Sequence, residues 1–186
     1  ANDAANVFGT AVGTRMIHFK TAAIVCSIFV ILGAIISGAG TTETLGKLGA
    51  INALPGAFAA CVAAGLSVYL MTKLGLPVST TQAIVGAIVG WNLYTGSPTN
   101  MKVLVTILGT WVLCPIIAGL IAMFFYIITK KFIYESKLHI LRLDAYTRTA
   151  LVLAGAFGAY SLGANNIANV MGVFVPISPF TDIDMM

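Results

Sequence analysis

Charge is the scarcest ingredient of this sequence. Only 9% of its 186 residues are charged, against about 25% in soluble globular chains, whose surface must face water. A soluble domain is therefore excluded, and most of the chain must face lipid. Long basic runs are also missing. Beyond Lys130-Lys131 the positive residues are scattered, so the net charge of +4 does not make a nucleic-acid surface. The three cysteines, Cys26, Cys61 and Cys114, stand singly in apolar stretches. None has CxxC or metal-ligand spacing, so they read as small buried apolar side chains and no transition-metal site is expected. Gly38-x-Gly40 lacks the third glycine of a dinucleotide motif, and no phosphate-loop lysine is present. No nucleophile–base pairing points to an enzyme. The chain also lacks an initiator methionine and a leader, opening directly in the polar motif Ala1-Asn2-Asp3-Ala4-Ala5-Asn6. It is expected to be a piece of a longer polypeptide.

What is present is apolar length. Runs able to cross about 30 Å of hydrocarbon fall at residues 21–39, 51–72 and 103–129, the last containing Pro115 and expected to tilt or kink there. Two further segments are apolar but interrupted. Residues 78–94 begin with polar residues after Leu76-Pro77, and residues 146–175 are expected to break at Gly163-Ala164-Asn165-Asn166. Threading the chain through all five segments puts Arg15, Lys20, Lys73, Lys130, Lys131, Lys137, Arg142 and Arg148 on one side and Lys47 and Lys102 on the other. By the positive-inside rule the connections 14–20, 73–77 and 130–146 are then cytoplasmic.

A repeat adds to this. Residues 1–9, Ala-Asn-Asp-Ala-Ala-Asn-Val-Phe-Gly, align with residues 164–172, Ala-Asn-Asn-Ile-Ala-Asn-Val-Met-Gly. The charge assignment makes the first copy run inward and the second outward, the pattern of an inverted-topology repeat. Residues 1–146 then form a first repeat and residues 147–186 the start of a second. The expected class is an all-α integral membrane protein, an inverted-repeat transporter with broken helices at its substrate site.

Polar residues inside these segments carry the functional signal. Asn2, Asp3 and Asn6 occupy neighbouring positions on a helix. An intramembrane carboxylate costs several kcal/mol unless it is paired, which makes Asp3 a functional candidate. Asparagine and small residues also join transmembrane helices, but the motif's recurrence in an opposed copy favours a binding site. The second element is Pro77-Val78-Ser79-Thr80-Thr81-Gln82. Proline suits the first turn of a helix, and the hydroxyls beside that turn's free N–H groups make an anion cradle. Simple capping by Ser79 is the plainer alternative. Glu43, near the outer end of the first span, reads from the residues alone as a loop carboxylate in water.

Residues 1–6 with Phe8-Gly9-Thr10-Ala11-Val12-Gly13, and residues 76–81 with Ala83-Ile84-Val85-Gly86, resemble the inorganic phosphate transporter family of sodium–phosphate symporters. The resemblance covers nearly the whole chain. It implies import of inorganic phosphate with sodium through a plasma or inner membrane, an inverted-repeat fold, and a homodimer with an elevator-type transport domain. No cofactor is implied beyond the transported ions, and no nucleic-acid partner. By the same resemblance, phosphate is assigned to Ser79, Thr80, Thr81, Asp3 and Asn166. Sodium is assigned to Asn2, Asp3, Asn6, Asn165 and Asn169. Glu43 matches a glutamate that family members need for transport, and Gln82 is also assigned to transport.

Two positions depart from the family pattern. Gln82 stands where a histidine is common, and Asn166 where an aspartate is common. Gln82 cannot titrate, which weakens a proton-coupled reading. Asn166 removes one negative charge from the site. A proton-coupled phosphate or sulfate permease of the same family is the nearest rival. An ion channel and an inert scaffold half are more distant ones.

Overall fold

A computed structural model describes residues 2–49, 51, 54–135 and 139–174, with only the backbone of Asn2, Tyr134 and Glu135. Six helices follow one another among these residues: α1 (Asn2–Gly13), α2 (Phe19–Gly46), α3 (Leu54–Lys73), α4 (Thr80–Thr95), α5 (Met101–Glu135) and α6 (Ile140–Met171). Of these, α2, α3, α5 and α6 are long and apolar enough to cross a membrane. Helices are the expected solution, because in hydrocarbon each backbone N–H and C=O must find its partner within the segment. The exposed apolar side chains of α2 and α5, such as Ile28, Ile35, Leu120 and Phe124, belong against lipid, since apolar surface is costly to expose to water.

Two sequence expectations fail locally. The predicted break at residues 163–166 is absent: α6 runs unbroken for 32 residues. Its Gly163 serves packing instead, since a Cβ there would collide with the Val30 carbonyl of α2. Likewise Pro77 does not open a helix. It lies in the non-helical stretch 76–79, and α4 starts at Thr80 with Ser79 as its N-cap. The cysteine reading also needs correction, for Cys114 is exposed on α5.

Packing fixes the directions of the helices. Gly33, Gly38 and Leu45 of α2 face Tyr160, Ile167 and Gly172 of α6 in turn, so the two helices run parallel. A Cβ at Gly33 would strike the Tyr160 carbonyl, so the backbones touch where small residues let them approach. The hydroxyls of Ser37 and Tyr160 hydrogen-bond beside this crossing. α3 and α4 form an antiparallel hairpin, with Gly56 early in α3 lying against the Trp91 ring late in α4. In that register Thr80 is level with Ser67. The N-terminus of α4 therefore sits roughly 9 Å, six residues of helical rise, short of the Lys73 end of α3.

The bundle has two ends. At one, Asn100 N donates to Leu48 O at 3.0 Å, Gly49 pairs with Thr99 in an isolated bridge, and Leu45 lies beside Gly172. At the other, Ile17 and Ala22 pack near Leu151 and Val152. Lys47 and Lys102 thus sit at the first end, and Arg15, Lys20, Lys73, Arg142 and Arg148 belong to the second. This is the division that the threading of the chain required.

Candidate functional site

The site starts from the first turn of α4. Ser79 is extended (φ −99°, ψ 122°) and its Oγ accepts from Gln82 N at 3.3 Å. The amides of a helix's first turn have no intrahelical acceptor, and the aligned peptide dipoles give that end partial positive charge. Here it lies within the depth of the bundle.

Two other helices deliver polar side chains to this turn. Thr80 Oγ1 donates to Asp3 Oδ2 of α1 across a long 3.5 Å, and accepts from Asn169 Nδ2 of α6 at 3.2 Å. Thr81 Oγ1 accepts from Asn165 Nδ2 at 3.2 Å. Asn169 Nδ2 also donates to Asn166 Oδ1 at 3.1 Å. Asn169 Oδ1 is buried and has no partner among the described residues. A buried acceptor left without a donor costs about 1–3 kcal/mol, and a cation would relieve it. No lysine or arginine takes part in these contacts.

Both copies of the repeated motif therefore converge on α4, from opposite directions. Asp3 reaches Thr80 beside Asn169, while Val7 and Phe8 lie against Gly158 and Gly155. As α1 advances, its neighbours on α6 move back along the chain, so the two motif helices are antiparallel.

The remaining sequence candidates lie elsewhere. Asn6 is exposed and lines a separate cavity of about 380 Å³ with Thr72, Gly75, Leu76, Pro77 and Val78. Gln82 is exposed and lines a groove of about 550 Å³ between α3 and α4, floored by Ala59, Ala63, Gly86 and Gly90. Glu43 is exposed at the far end of α2 and pairs with Lys47. The side chain of Asn2 lies outside the described residues. One polar residue escaped the sequence reading. Asn92 is fully buried, and its Nδ2 donates to Thr99 Oγ1 at 3.0 Å, which ties α4 to the segment leading into α5. A lone asparagine in the apolar run 83–94 gave no pattern to detect it by.

Comparison with known proteins decides the family. A profile described as "Phosphate transporter family" matches residues 1–182. The chain belongs to this family. A Haemophilus influenzae protein named "Putative phosphate permease" is 34% identical over 149 residues, covering 74% of this chain and 35% of that protein. A Thermococcus kodakarensis protein of like name is 36% identical over 147 residues, covering 74% and 36%. A Methanocaldococcus jannaschii one is 42% identical over 122 residues, covering 65% and 39%. The match thus spans little more than a third of these phosphate transporter relatives. No solved structure matches the chain.

Proposed function

We propose that this chain is part of a secondary active transporter that imports inorganic phosphate coupled to sodium across the plasma membrane. The observation that carries the reading is the meeting of Asp3, three asparagines and two threonine hydroxyls at the first turn of α4, with no basic side chain in those contacts among the described residues. A phosphate charge about 4 Å from the Asp3 carboxylate would be repelled by roughly 4 kcal/mol at an effective dielectric of 20. A cation must enter with the anion to offset that repulsion. Carboxylate and amide oxygens are hard ligands suited to sodium, and the unpartnered Asn169 Oδ1 supplies one. Phosphate would take the hydroxyls of Thr80 and Thr81 and the first-turn amides of α4, with Ser79 and Asn166 at its edge. Sodium would take Asp3 with Asn165 and Asn169, while Asn2 and Asn6 complete its shell or its path. Glu43 would act at the outer end, away from the ions, and Gln82 from the neighbouring groove.

Further proposals come from the orientation and the family. Residues 1–146 make one repeat, residues 147–186 open an inverted second one, and two copies assemble as an elevator-type homodimer. The connections 14–20, 73–77 and 130–146 face the cytoplasm. Opposed motif helices support the inverted repeat, and the division of basic residues supports the orientation. The absence of a titrating side chain at Gln82 favours sodium over protons as the coupled ion. Phosphate uptake by proteoliposomes with and without an inward sodium gradient tests the function. Uptake is expected to depend on the gradient and to resist competition by sulfate; uptake indifferent to sodium would sink the sodium reading.

A further inference from the structure

The hydroxyl of Thr80 can donate one hydrogen bond, and the acceptor it faces is Asp3 Oδ2. We infer that Thr80 is the coupling residue of the site: its hydroxyl is held by Asp3 until sodium takes the carboxylate, and only then donates to phosphate. This rests on the sodium–phosphate reading above and assigns the coupling to one side chain.

The hydrogen-bond inventory carries the inference. A threonine hydroxyl donates once and accepts twice. Thr80 Oγ1 already accepts from Asn169 Nδ2 and donates to Asp3 Oδ2. Thr81 Oγ1 accepts from Asn165 Nδ2, and Ser79 Oγ accepts from Gln82 N. Neither of these two hydroxyls has an acceptor for its own proton among the described residues, so both are ready to donate to an oxyanion. Thr80 is the exception, turned toward an anion supplied by the protein itself. The carboxylate does more than hold that proton. It stands beside the positive end of α4, where phosphate would bind, and so acts as a resident competitor. At 3.5 Å the contact is long against the usual 2.7–2.8 Å for O–H···O, which makes it a latch that a sodium ion can displace. Each ion then prepares for the other: sodium releases the Thr80 proton, and phosphate, once it accepts that proton, keeps Thr80 from reclaiming Asp3.

The test separates a latch from an ordinary ligand. Sodium affinity without phosphate, and phosphate affinity in saturating sodium, are measured on the purified protein with radiolabelled ions, for wild type, Thr80→Val and Thr80→Ser. A latch competes with sodium for Asp3. Thr80→Val should therefore bind sodium roughly two- to fivefold more tightly, the low end for a hydrogen bond because the contact is long. The same variant should bind phosphate more weakly, and Thr80→Ser should restore both values. Unchanged sodium affinity in Thr80→Val would make Thr80 a phosphate ligand only, and weakened sodium affinity would make it a sodium ligand; either outcome overturns the inference. The transport reading fails in a different measurement: wild-type phosphate binding that ignores sodium overturns it before any variant is compared.

Discussion

Asp3 is the residue on which the chemistry turns. A carboxylate at membrane depth costs several kcal/mol unless compensated, yet its one side-chain hydrogen bond among the described residues is the long contact from Thr80. An anion so thinly supported by protein is suited to an exchangeable cation. Asp3→Asn keeps the volume and an acceptor oxygen but removes the charge, so sodium-coupled phosphate uptake should fall at least about tenfold, the equivalent of 1.4 kcal/mol. Ser67→Ala serves as the contrast, because Ser67 lines the α3–α4 groove and its Oγ donates to Ala63 O within α3; its uptake should stay within about twofold of wild type, the range of ordinary surface changes. Initial rates in proteoliposomes at matched protein content check both variants. Equal losses in the two would mean that the site extends into the groove. At this scale the sequence was informative about Asp3, Thr80, Thr81, Asn165, Asn166 and Asn169, because their types and spacing are unusual in apolar segments. It could not separate Asn6 from that group, since helical spacing places Asn6 near Asp3 on α1 without saying which neighbour it meets. Nor could it choose between Pro77 and Ser79 for the start of α4, a choice decided by where that helix begins.

The elements that hold the site are joined by close backbone approach. α2 and α6 meet at Gly33 and Gly163, each set against a main-chain carbonyl of the other helix. Lipid tails are as apolar as leucine, so helices in a membrane gain little from hydrophobic contact and depend on such fitted packing. Gly163→Val should therefore be costly. Overpacking a well-fitted core costs typically 1–3 kcal/mol, and here the obstructing atoms belong to the Val30 backbone, which cannot rotate away. A thermal-unfolding midpoint several degrees below wild type is expected in detergent, with uptake lost as Asn165 and Asn169 move away from α4. Gly65→Val on α3 is the control, since a Cβ there meets nothing within 4 Å. If the two variants unfold at the same temperature, the close approach does not contribute to stability. This packing also explains why the expected break in α6 was misread. A Gly-Ala-Asn-Asn run signals either a helix interruption or a packing face, and the two are told apart only by the neighbour, α2, which is about 130 residues distant in the chain.

On the scale of the whole molecule, α4 decides the topology. It has 16 residues, about 24 Å of helix, and falls short of a full crossing alone. The non-helical residues 76–79 join it to α3, and the hairpin returns the chain to the end where α2 and α3 meet. The bridge between Gly49 and Thr99 records that return. The charge count anticipated this threading because lysine and arginine placement depends on the side of the membrane rather than on local conformation. The same count favours a crossing over a re-entrant hairpin for residues 78–94, because folding back there would worsen the division of basic residues. The two readings separate in one labelling experiment. Cysteines substituted singly at Lys47, Lys73 and Lys131, in a background with Cys26, Cys61 and Cys114 replaced, are exposed to a membrane-impermeant thiol reagent in intact cells and again after permeabilisation. Lys47→Cys should react in intact cells, while Lys73→Cys and Lys131→Cys should react only after permeabilisation. A Lys131→Cys that labels from outside while Lys73→Cys does not would mean that α4 turns back without crossing; α5 and α6 would then run opposite to the assigned directions, and the two motif helices could not stand as inverted copies about the phosphate site.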